Sequence, residues 1–378
     1  MSQCWPSVLL SDICNPKQWP TISQTELTET GYPVYGANGK IGYYSDFNHE
    51  RPTLLVTCRG ATCGSLNICE PFSYVTGNSM ALDDLDESRV DQKFLYYALF
   101  SRGFKDSITG TAQPQITRQS LSPVSIPLPP LPEQKRIAAI LDKADAIRRK
   151  RQQAVKLTEE LLRSVFLDMF GDPVTNPKGW EVMEFGDLCE ELRYGTSNMC
   201  STDRQDGDLP VLRIPNVIGG LINWDDIKHV QLPDAETKRL RLEQGDILFV
   251  RTNGNPEYIG RCAVYDDTRP ALYASYLIRA RLKIEAPCLP QYASSCFTFP
   301  TYRKRLVAEA KTTAGNFNIN TEGLKSLKLP IPPLSEQERF LMIRDRLATV
   351  SIRYQSGVVA SDSLFTSLLQ RAFRGELS

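Results

Sequence analysis

Two short strings contain residue types that could carry out chemistry on a nucleic acid. Asn255-Pro256-Glu257-Tyr258 approximates the [DNS]-P-P-[YFW] element with which amino-methyltransferases hold a flipped adenine, but a glutamate replaces the second proline. No glycine-rich cofactor loop follows an earlier strand, as S-adenosylmethionine binding would require. Asp234 and Glu236 in PDAETK have the letters of a nuclease motif, but they are too close to come from separate strands around a metal. We therefore interpret the first string as a loop or DNA-contact segment and the second as a solvated turn.

Other catalytic chemistry is poorly provided for. Histidine occurs only at His49 and His229, and the GxxxxGK[ST] phosphate loop that ATP hydrolysis needs is missing. Cys58, Cys63 and Cys69 are close together, but their spacing fits no usual zinc pattern. The sequence therefore predicts no catalytic residue, no metal and no cofactor in this chain.

What remains is chemistry for binding. Arg and Lys suit guanine edges in the major groove of DNA, and Asn or Gln suit adenine edges. A single Arg or Asn in a loop is more often a solvated or turn-forming residue, so the group carries more weight than its members. The candidates in the N-terminal part are Asn38, Lys40, Tyr43, Arg59, Arg102 and Lys105. Those in the C-terminal part are Arg193, Tyr194, Arg213, Asn216, Arg251, Asn253, Asn255 and Lys311.

Composition limits the class of protein. With 378 residues, 41% hydrophobic and 23% charged, the chain has room for two or three globular domains. No stretch approaches the ~18 apolar residues of a membrane span, and the N-terminus lacks signal-peptide features, so we expect a cytoplasmic location. The formal net charge of zero counts against a stand-alone DNA-binding protein. It is compatible with a reader that shares the DNA with a larger partner, because the partner can neutralise the phosphates.

The chain contains an internal repeat. Leu121–Arg136 reads LSPVSIPLPPLPEQKR and Leu324–Arg339 reads LKSLKLPIPPLSEQER, at an offset of 203 (324 − 121) with eight of sixteen positions identical. A weaker match at an offset of 175 aligns Trp5, Asp12 and Cys14 with Trp180, Asp187 and Cys189. The chain therefore carries two copies of a globular domain, a proline hinge and a long helix. Such pseudo-symmetry suits a ligand with two half-sites, and DNA is the commonest ligand of that kind.

The segment after each hinge has the pattern of a long helix. Apolar residues recur in a heptad register, and at ~1.5 Å per residue each helix would be on the order of 50–60 Å long. A lone helix of that length would expose its apolar stripe, so the two most simply pack on each other as a coiled coil. The predicted core residues are Ile137, Ile140, Ala144, Ile147, Leu161 and Val165 in the first helix and Phe340, Ile343, Leu347, Val350, Leu364 and Leu368 in the second.

Short strands and helices alternate in both globular regions. The runs at 53–58 and 271–282 are rich in β-branched and apolar residues and predict strands, whereas 91–101 and 291–305 have helical patterns. Together with the long helices, these patterns predict an α+β fold.

These features resemble a known family. The doubled [IL]P[LI]PPL[PS]EQ hinge, followed each time by a long helix, resembles the specificity subunit of type I restriction–modification systems. TGYPVYGANGKIGYY at 30–44, LLVTCRGATCG at 54–64 and GDILFVRTNGNPEYIGRCAVY at 245–265 look like target-recognition domains of that family. The resemblance spans essentially the whole chain, and the hinge-and-helix signature is its most specific part.

The resemblance implies two α/β target-recognition domains separated by two long antiparallel coiled-coil helices. The implied segments are 1–131 (first domain with hinge), 132–172 (central helix), 173–334 (second domain with hinge) and 335–378 (C-terminal helix). Each domain would read one half of a bipartite, asymmetric DNA site, and the helices would set the spacer. Two methyltransferase subunits with their own S-adenosylmethionine would dock on this frame. In a restriction complex, nuclease subunits that use ATP and Mg²⁺ would join them.

Three other functions are considered. The chain could serve a defence system that only methylates, which the sequence cannot separate from full restriction. A self-contained DNA-modifying enzyme is disfavoured by the missing glycine loop. A protein scaffold without a nucleic-acid role would be excluded by salt-dependent DNA binding of the assembled complex. The resemblance favours a non-catalytic DNA-recognition subunit.

Overall fold

The computed structural model describes residues 5–37, 39–110, 113–309, 311–313 and 316–377, with the backbone alone described at 309, 311–313 and 316. The chain divides into two compact units, which are Met1–Ala154 with Tyr354–Ser378, and Val155–Arg353. Each unit consists of one globular domain and part of each of two long helices.

The first domain is built from small sheets and two short helices. Its strands are Ser7–Leu9 (β1), Asn15–Gln18 (β2), Tyr32–Gly36 (β3), Gly39–Tyr44 (β4), Leu54–Thr57 (β5), Leu66–Ile68 (β6), Tyr74–Val75 (β7), Ser79–Asp83 (β8) and Ser125–Pro127 (β9). Its helices are Gln92–Arg102 (α1) and Arg118–Leu121 (α2), followed by the long helix Leu131–Phe170 (α3). The sheet orders are β2-β8-β5-β6, β4-β3-β7 and β1-β9. Among the described strands of this domain, β3 and β7 pair in parallel.

The second domain repeats this plan with additions. Its strands are Glu181–Glu184 (β10), Cys189–Tyr194 (β11), Leu209–Leu212 (β12), Lys228–Val230 (β13), Ile247–Val250 (β14), Thr252–Asn253 (β15), Cys262–Val264 (β16), Leu272–Tyr273 (β17), Leu277–Leu282 (β18), Lys311–Thr313 (β19), Asn316–Asn318 (β20) and Lys328–Ile331 (β21). Its helices are Phe185–Leu188 (α4), Asp234–Leu240 (α5), Pro290–Thr298 (α6), Pro300–Glu309 (α7) and Thr321–Lys325 (α8), followed by the long helix Leu334–Phe373 (α9).

The sheets of the second domain correspond to those of the first. The orders β11-β18-β14-β16, β13-β12-β17 and β10-β21 match the three sheets of the first domain in connectivity, and β15-β20-β19 is an addition. The predicted α+β class is therefore confirmed. The single helix predicted over 291–305 is wrong, because Phe299 adopts an extended conformation (ψ 140°) before Pro300 and separates α6 from α7.

The two long helices pack antiparallel. In the first unit, Ile137 and Leu141 near the start of α3 share a core with Phe365 and Leu369 near the end of α9. In the second unit the pairing is reversed, since Phe166 near the end of α3 lies beside residues near the start of α9 in another shared core. Each helix has 40 residues, or about 60 Å at ~1.5 Å per residue. The predicted long antiparallel helices are confirmed.

The predicted heptad core is only partly correct. Ile137, Ala144 and Phe340 are buried. Ile140, Val165, Ile343, Leu347 and Leu368 are half-buried. The prediction is wrong for the residues in the middle of the stripe, because Ile147 is 50%, Leu161 51%, Val350 40% and Leu364 56% exposed. An α-helix turns ~20° per heptad relative to a strict 3.5-residue period, so a stripe that starts in the core leaves it.

A buried glutamine fastens α3 to the first domain. Gln134, the glutamine of the repeated EQ motif, is fully buried. Its Oε1 accepts a hydrogen bond from Asp91 N at 2.9 Å, at the N-terminus of α1. Its Nε2 donates to the carbonyl oxygens of Arg89 and Pro129, each at 2.8 Å. One side chain thus ties the start of a domain helix, the proline hinge and the long helix together.

The same arrangement recurs in the second unit. Gln337 is also fully buried, and its Oε1 accepts a hydrogen bond from Leu289 N at 2.8 Å. Its Nε2 donates to the carbonyl oxygens of Pro287 at 2.9 Å and Pro332 at 2.8 Å. We call these two sets of contacts, centred on Gln134 and Gln337, the glutamine clamps. Because every domain-side partner is a backbone atom, a clamp makes no demand on the side chains of the domain.

The described ranges contain no membrane or metal feature. None of their helices combines the length and apolarity needed to cross a membrane. No three or more His, Cys, Asp or Glu side chains within these ranges are grouped as a metal site requires. The described cysteines have free thiols.

Candidate nucleic-acid interface

Several predicted binding residues of the second domain meet at the end of β14. Arg251 follows this fully buried strand, and its guanidinium lies 4.6 Å from the centre of the Tyr194 ring. Its Nη1 donates to Ser275 O at 3.3 Å, and its buried Nε finds no hydrogen-bond partner within the described residues. The Tyr194 hydroxyl accepts from Thr321 N at 3.2 Å. The arginine is therefore half-buried and held in place by its contacts.

The two asparagines beyond Arg251 shape a loop. Asn253 Oδ1 accepts from Asn255 N at 2.8 Å, and Asn255 Oδ1 accepts from Glu257 N at 3.0 Å. Pro256–Tyr258 is a 3₁₀ turn capped by Asn255. The Asn-Pro-Glu-Tyr string is thus a capped turn that begins at the sheet β15-β20-β19. Lys311 starts β19 in the same sheet, but its side chain lies outside the described residues.

The first domain has an equivalent edge at the end of β5. Ile319 N donates to Arg251 O at 2.9 Å, and Ile116 N donates to Cys58 O at 3.0 Å. The two isoleucines are 203 residues apart (319 − 116), which is the offset of the hinge repeat. Arg59, the residue after Cys58, is exposed and bridges to the backbone of Gln115. Arg59 and the Arg251–Asn253 segment therefore occupy corresponding places in the two domains.

Four further candidates are cations paired with neighbouring carboxylates. The pairs are Lys40–Glu70 at 3.4 Å, Arg102–Asp106 at 2.5 Å, Arg213–Asp226 at 2.8 Å and Arg193–Glu191. The Lys40–Glu70 and Arg102–Asp106 pairs are exposed, and an exposed pair contributes only about 0–1 kcal/mol, so a DNA phosphate could replace the carboxylate there at little cost. The centre of the Tyr43 ring lies 4.7 Å from Lys40 Nζ. Lys105 is exposed just beyond α1. Asn38 lies outside the described residues.

Asn216 has a different role from the one predicted. It is 1% exposed, and its Oδ1 accepts from Arg213 N at 2.8 Å. Its Nδ2 donates to Asn223 O at 2.9 Å and Asp225 O at 3.0 Å. All of the hydrogen-bonding capacity normally offered to a base is thus used inside the protein. We correct the sequence-based assignment, since Asn216 holds the 213–226 loop together.

Sequence reasoning missed a buried arginine behind Arg193. Arg279 is 1% exposed, forms an ion pair with Glu191 and donates from Nη1 to Arg241 O at 3.0 Å. Arg193 Nε donates to the other oxygen of the same carboxylate at 2.7 Å. Burial alone would raise the pKa of Glu191, but the hydrogen bond from Arg193 and the charge of Arg279 hold it below its usual value. The sequence feature that could have indicated this arginine is the alternation of arginine and apolar residues in LIRARL at 277–282.

The sequence comparisons agree on one family. A family model described as "Type I restriction modification DNA specificity domain" matches residues 3–157 and 177–353. The chain is 30% identical over 274 residues to the EcoKI specificity subunit of Escherichia coli K12. The aligned region covers 68% of this chain and 58% of that protein. It is 24% identical over 338 residues to the StySPI specificity subunit of Salmonella potsdam, covering 84% and 69%. The chain therefore spans less than two thirds of the E. coli relative.

Solved structures support the fold. The type I restriction-modification S subunit from M. genitalium aligns with a TM-score of 0.65 at 16% identity, covering 98% of this chain and 96% of that one. A chain from a study of complex assembly and conformational transition of the type I R-M system aligns with a TM-score of 0.51 at 18% identity over the full length of both. At these identities the likeness concerns the fold alone.

Proposed function

The chain belongs to the type I restriction modification DNA specificity domain family, and we propose that it is the DNA sequence-specificity subunit of a type I restriction–modification complex. Each domain reads one half of a bipartite, asymmetric DNA site. The observation that carries this proposal is the repetition of the whole unit down to single hydrogen bonds, in the glutamine clamps and at the ends of β5 and β14. A duplicated reader suits a divided target.

The chemistry of the two matched edges supports readout of bases. Arg59 in the first domain and Arg251 with Asn253 in the second present the side chains that suit guanine and adenine edges in the major groove. The paired cations Lys40, Arg102 and Arg213 would exchange their carboxylates for phosphates, which positions each domain on the duplex without reading its sequence. The long helices α3 and α9 set the spacer between the half-sites.

We further propose that catalysis belongs to partners. Two methyltransferase subunits supply S-adenosylmethionine and methylate adenines, and in a restriction complex nuclease subunits supply ATP-dependent cleavage with Mg²⁺. The net charge of zero supports this division, because a subunit that shares DNA with larger partners does not need to neutralise the phosphates alone. A system that only methylates would use the chain in the same way.

Exchanging one domain is expected to change only one half-site. Residues 1–130 are replaced by the first domain of another family member. The paired strands β1 and β9 then both come from the same protein. The clamp at Gln134 survives, because it contacts only backbone atoms of the domain. Sequencing of methylated adenines in host DNA reads both half-sites and the spacer. The reciprocal exchange of residues 173–333 is the control and should alter the other half-site. A single exchange that altered both would refute independent reading.

A further inference from the structure

The strand pairs at the two matched edges correspond residue by residue. The last residue pair between β5 and β8 is Thr57 with Ser79, and the last pair between β14 and β18 is Val250 with Leu277. The isoleucine hydrogen bonds that match the two edges lie one residue beyond Thr57 and Val250, so the alignment rests on independent contacts. The first domain therefore has two hydroxyl groups where the second has two buried apolar side chains.

Three hydroxyl groups of the first domain converge on the end of β3. Thr57 and Ser79 are fully buried. Thr57 Oγ1 donates a hydrogen bond to Ala37 O at 3.0 Å, and Ser79 Oγ donates to Gly36 O at 2.9 Å. Thr62 Oγ1 donates to the same Ala37 O, also at 3.0 Å. We call Thr57, Thr62 and Ser79 the hydroxyl cluster.

The hydroxyl cluster joins two segments that carry predicted DNA-binding cations. Ala37 follows β3, and β4 begins at Gly39, so Lys40 lies close to this point in the chain. Thr62 belongs to the loop between β5 and β6, which also carries Arg59. The loop of Arg59 and the connection before Lys40 are thus fixed against each other at a single carbonyl oxygen.

The second domain shows that the strand pair itself does not need these hydroxyl groups. Val250 and Leu277 are fully buried at the same positions, and β14 pairs with β18 without them. A buried hydroxyl lowers stability unless it finds a hydrogen-bond partner, and both acceptors in the first domain lie where β3 ends. The hydroxyl groups of Thr57 and Ser79 therefore serve the position of the β3–β4 connection rather than the sheet.

The second domain fixes the corresponding connection by another means. Thr76 N donates to Tyr35 O and Ala274 N donates to Leu212 O, each at 2.9 Å, so the connections that follow Tyr35 and Leu212 correspond. In the second domain this connection is longer, and the buried side chain of Asn216 holds it from within. Both domains thus use buried polar groups to fix the same connection, which is expected of an element whose position matters for binding.

We propose that the hydroxyl cluster positions the side chains that read the first half-site. It touches no DNA itself, but it holds Arg59 and Lys40 in one arrangement, in which Arg59 reaches a base edge while Lys40 contacts a phosphate. Such a constellation must be held within about 0.5 Å of its working geometry. This inference rests on the proposed function and adds to it the residues that set specificity from outside the DNA contact.

The test is the double variant Thr57→Val, Ser79→Ala. Valine is the residue that the second domain has at the position of Thr57, so this kind of strand pair accommodates it. The full chain is assembled with the methyltransferase subunit of its complex. It is supplied with duplexes that carry the site found by sequencing of methylated adenines, or that site with one substituted base pair.

The measured quantity is discrimination, which is the ratio of kcat/KM for methyl transfer between the recognised and the substituted duplex. In the double variant we expect discrimination at one or more base pairs of the first half-site to fall ~10-fold, because a single mismatched pair changes binding by a factor of that order. Discrimination in the second half-site should stay unchanged, since that domain keeps all of its contacts.

Thr53→Val is the matched control. Thr53 directly precedes β5, and its hydroxyl donates to Arg51 O at 3.2 Å. This variant loses a hydroxyl-to-carbonyl hydrogen bond at the opposite end of the strand and should discriminate as the parent chain does. Thr57→Ser, which keeps the hydrogen-bond donor, should also keep the discrimination of the parent chain.

Unchanged discrimination at the first half-site, including an equal fall in methyl transfer on all duplexes, would overturn the inference. The cluster would then stabilise the domain without positioning the reading side chains, while the proposed function would stand because the parent chain still discriminates. A parent complex that methylated all duplexes equally would contradict the proposed function and the inference with it. If the double variant does not assemble, Thr57→Val alone is measured, with a smaller fall expected at the first half-site.

Discussion

Gln337→Leu is expected to lower the free energy of unfolding of the second unit by at least ~3 kcal/mol, since it leaves three buried polar groups without a partner and each costs ~1–3 kcal/mol. The groups that lose their partner are Leu289 N–H and the carbonyls of Pro287 and Pro332. Leucine fills a similar volume, so the loss reflects the hydrogen bonds more than a cavity. Urea unfolding followed by circular dichroism and tryptophan fluorescence measures it.

The exposed residue Gln153 on α3 supplies the control. Gln153→Leu removes the same functional group from the same type of helix, and should change stability by less than ~0.5 kcal/mol because it touches no such network. Hydrogen exchange should in addition show faster opening of the first turn of α6 in the Gln337 variant alone. If the two variants unfolded at the same urea concentration, the glutamine clamp would not be what fastens the domain to the helix.

Shortening both long helices by one heptad is expected to shorten the DNA spacer by about three base pairs. Seven residues span ~10.5 Å of helix, and DNA rises ~3.4 Å per base pair. Suitable segments are 152–158 in α3 and 350–356 in α9, which begin or end next to the contact of Arg151 Nη1 with Gly357 O at 2.6 Å. All residues of both segments are half-buried or exposed, so the removal of the two segments leaves the buried cores intact. Removing one heptad rotates the two ends of a helix relative to each other by only ~20°.

Methylated-adenine sequencing reads the spacer directly. Removing the α3 segment alone is the control, and it should abolish methylation because the two helices no longer match in length. A chain with segment 152–158 replaced by alanines keeps its length and should keep the original spacer. If the doubly shortened chain methylated sites with an unchanged spacer, helix length would not be the ruler.

The sequence predicted the frame well because its signals are local and repeated. Two proline hinges, the absence of glycine and proline from Glu133 to Phe170, and a constant offset of 203 restrict the possible folds strongly. The helical core was predicted less well. Ile147 and Leu364 continue the heptad register but are exposed, because residues at a 3.5-residue spacing rotate gradually around an α-helix of 3.6 residues per turn. Phe166 and Leu369 are buried because the ends of the long helices pack on the domains.

The role of single side chains at the site depends on tertiary partners, which the sequence does not display. Asn216 has an amide that could pair with adenine, but its oxygen and nitrogen form hydrogen bonds within its own loop. Gln134 and Gln337 were visible as identities in the repeat, yet nothing in the sequence indicates which backbone atoms they reach. Arg251 was identified by its residue type, but its stacking on Tyr194 joins residues 57 positions apart (251 − 194).

The most direct test of the central proposal is single-molecule sequencing of host DNA from cells with and without this gene, scoring methylated adenine at every motif. We predict that deletion abolishes methylation at one bipartite motif, with two defined half-sites and a fixed spacer, and that the gene supplied on a plasmid restores it. An unchanged pattern of methylation in cells that express the partner methyltransferase would contradict the proposal that this chain selects the DNA sequence.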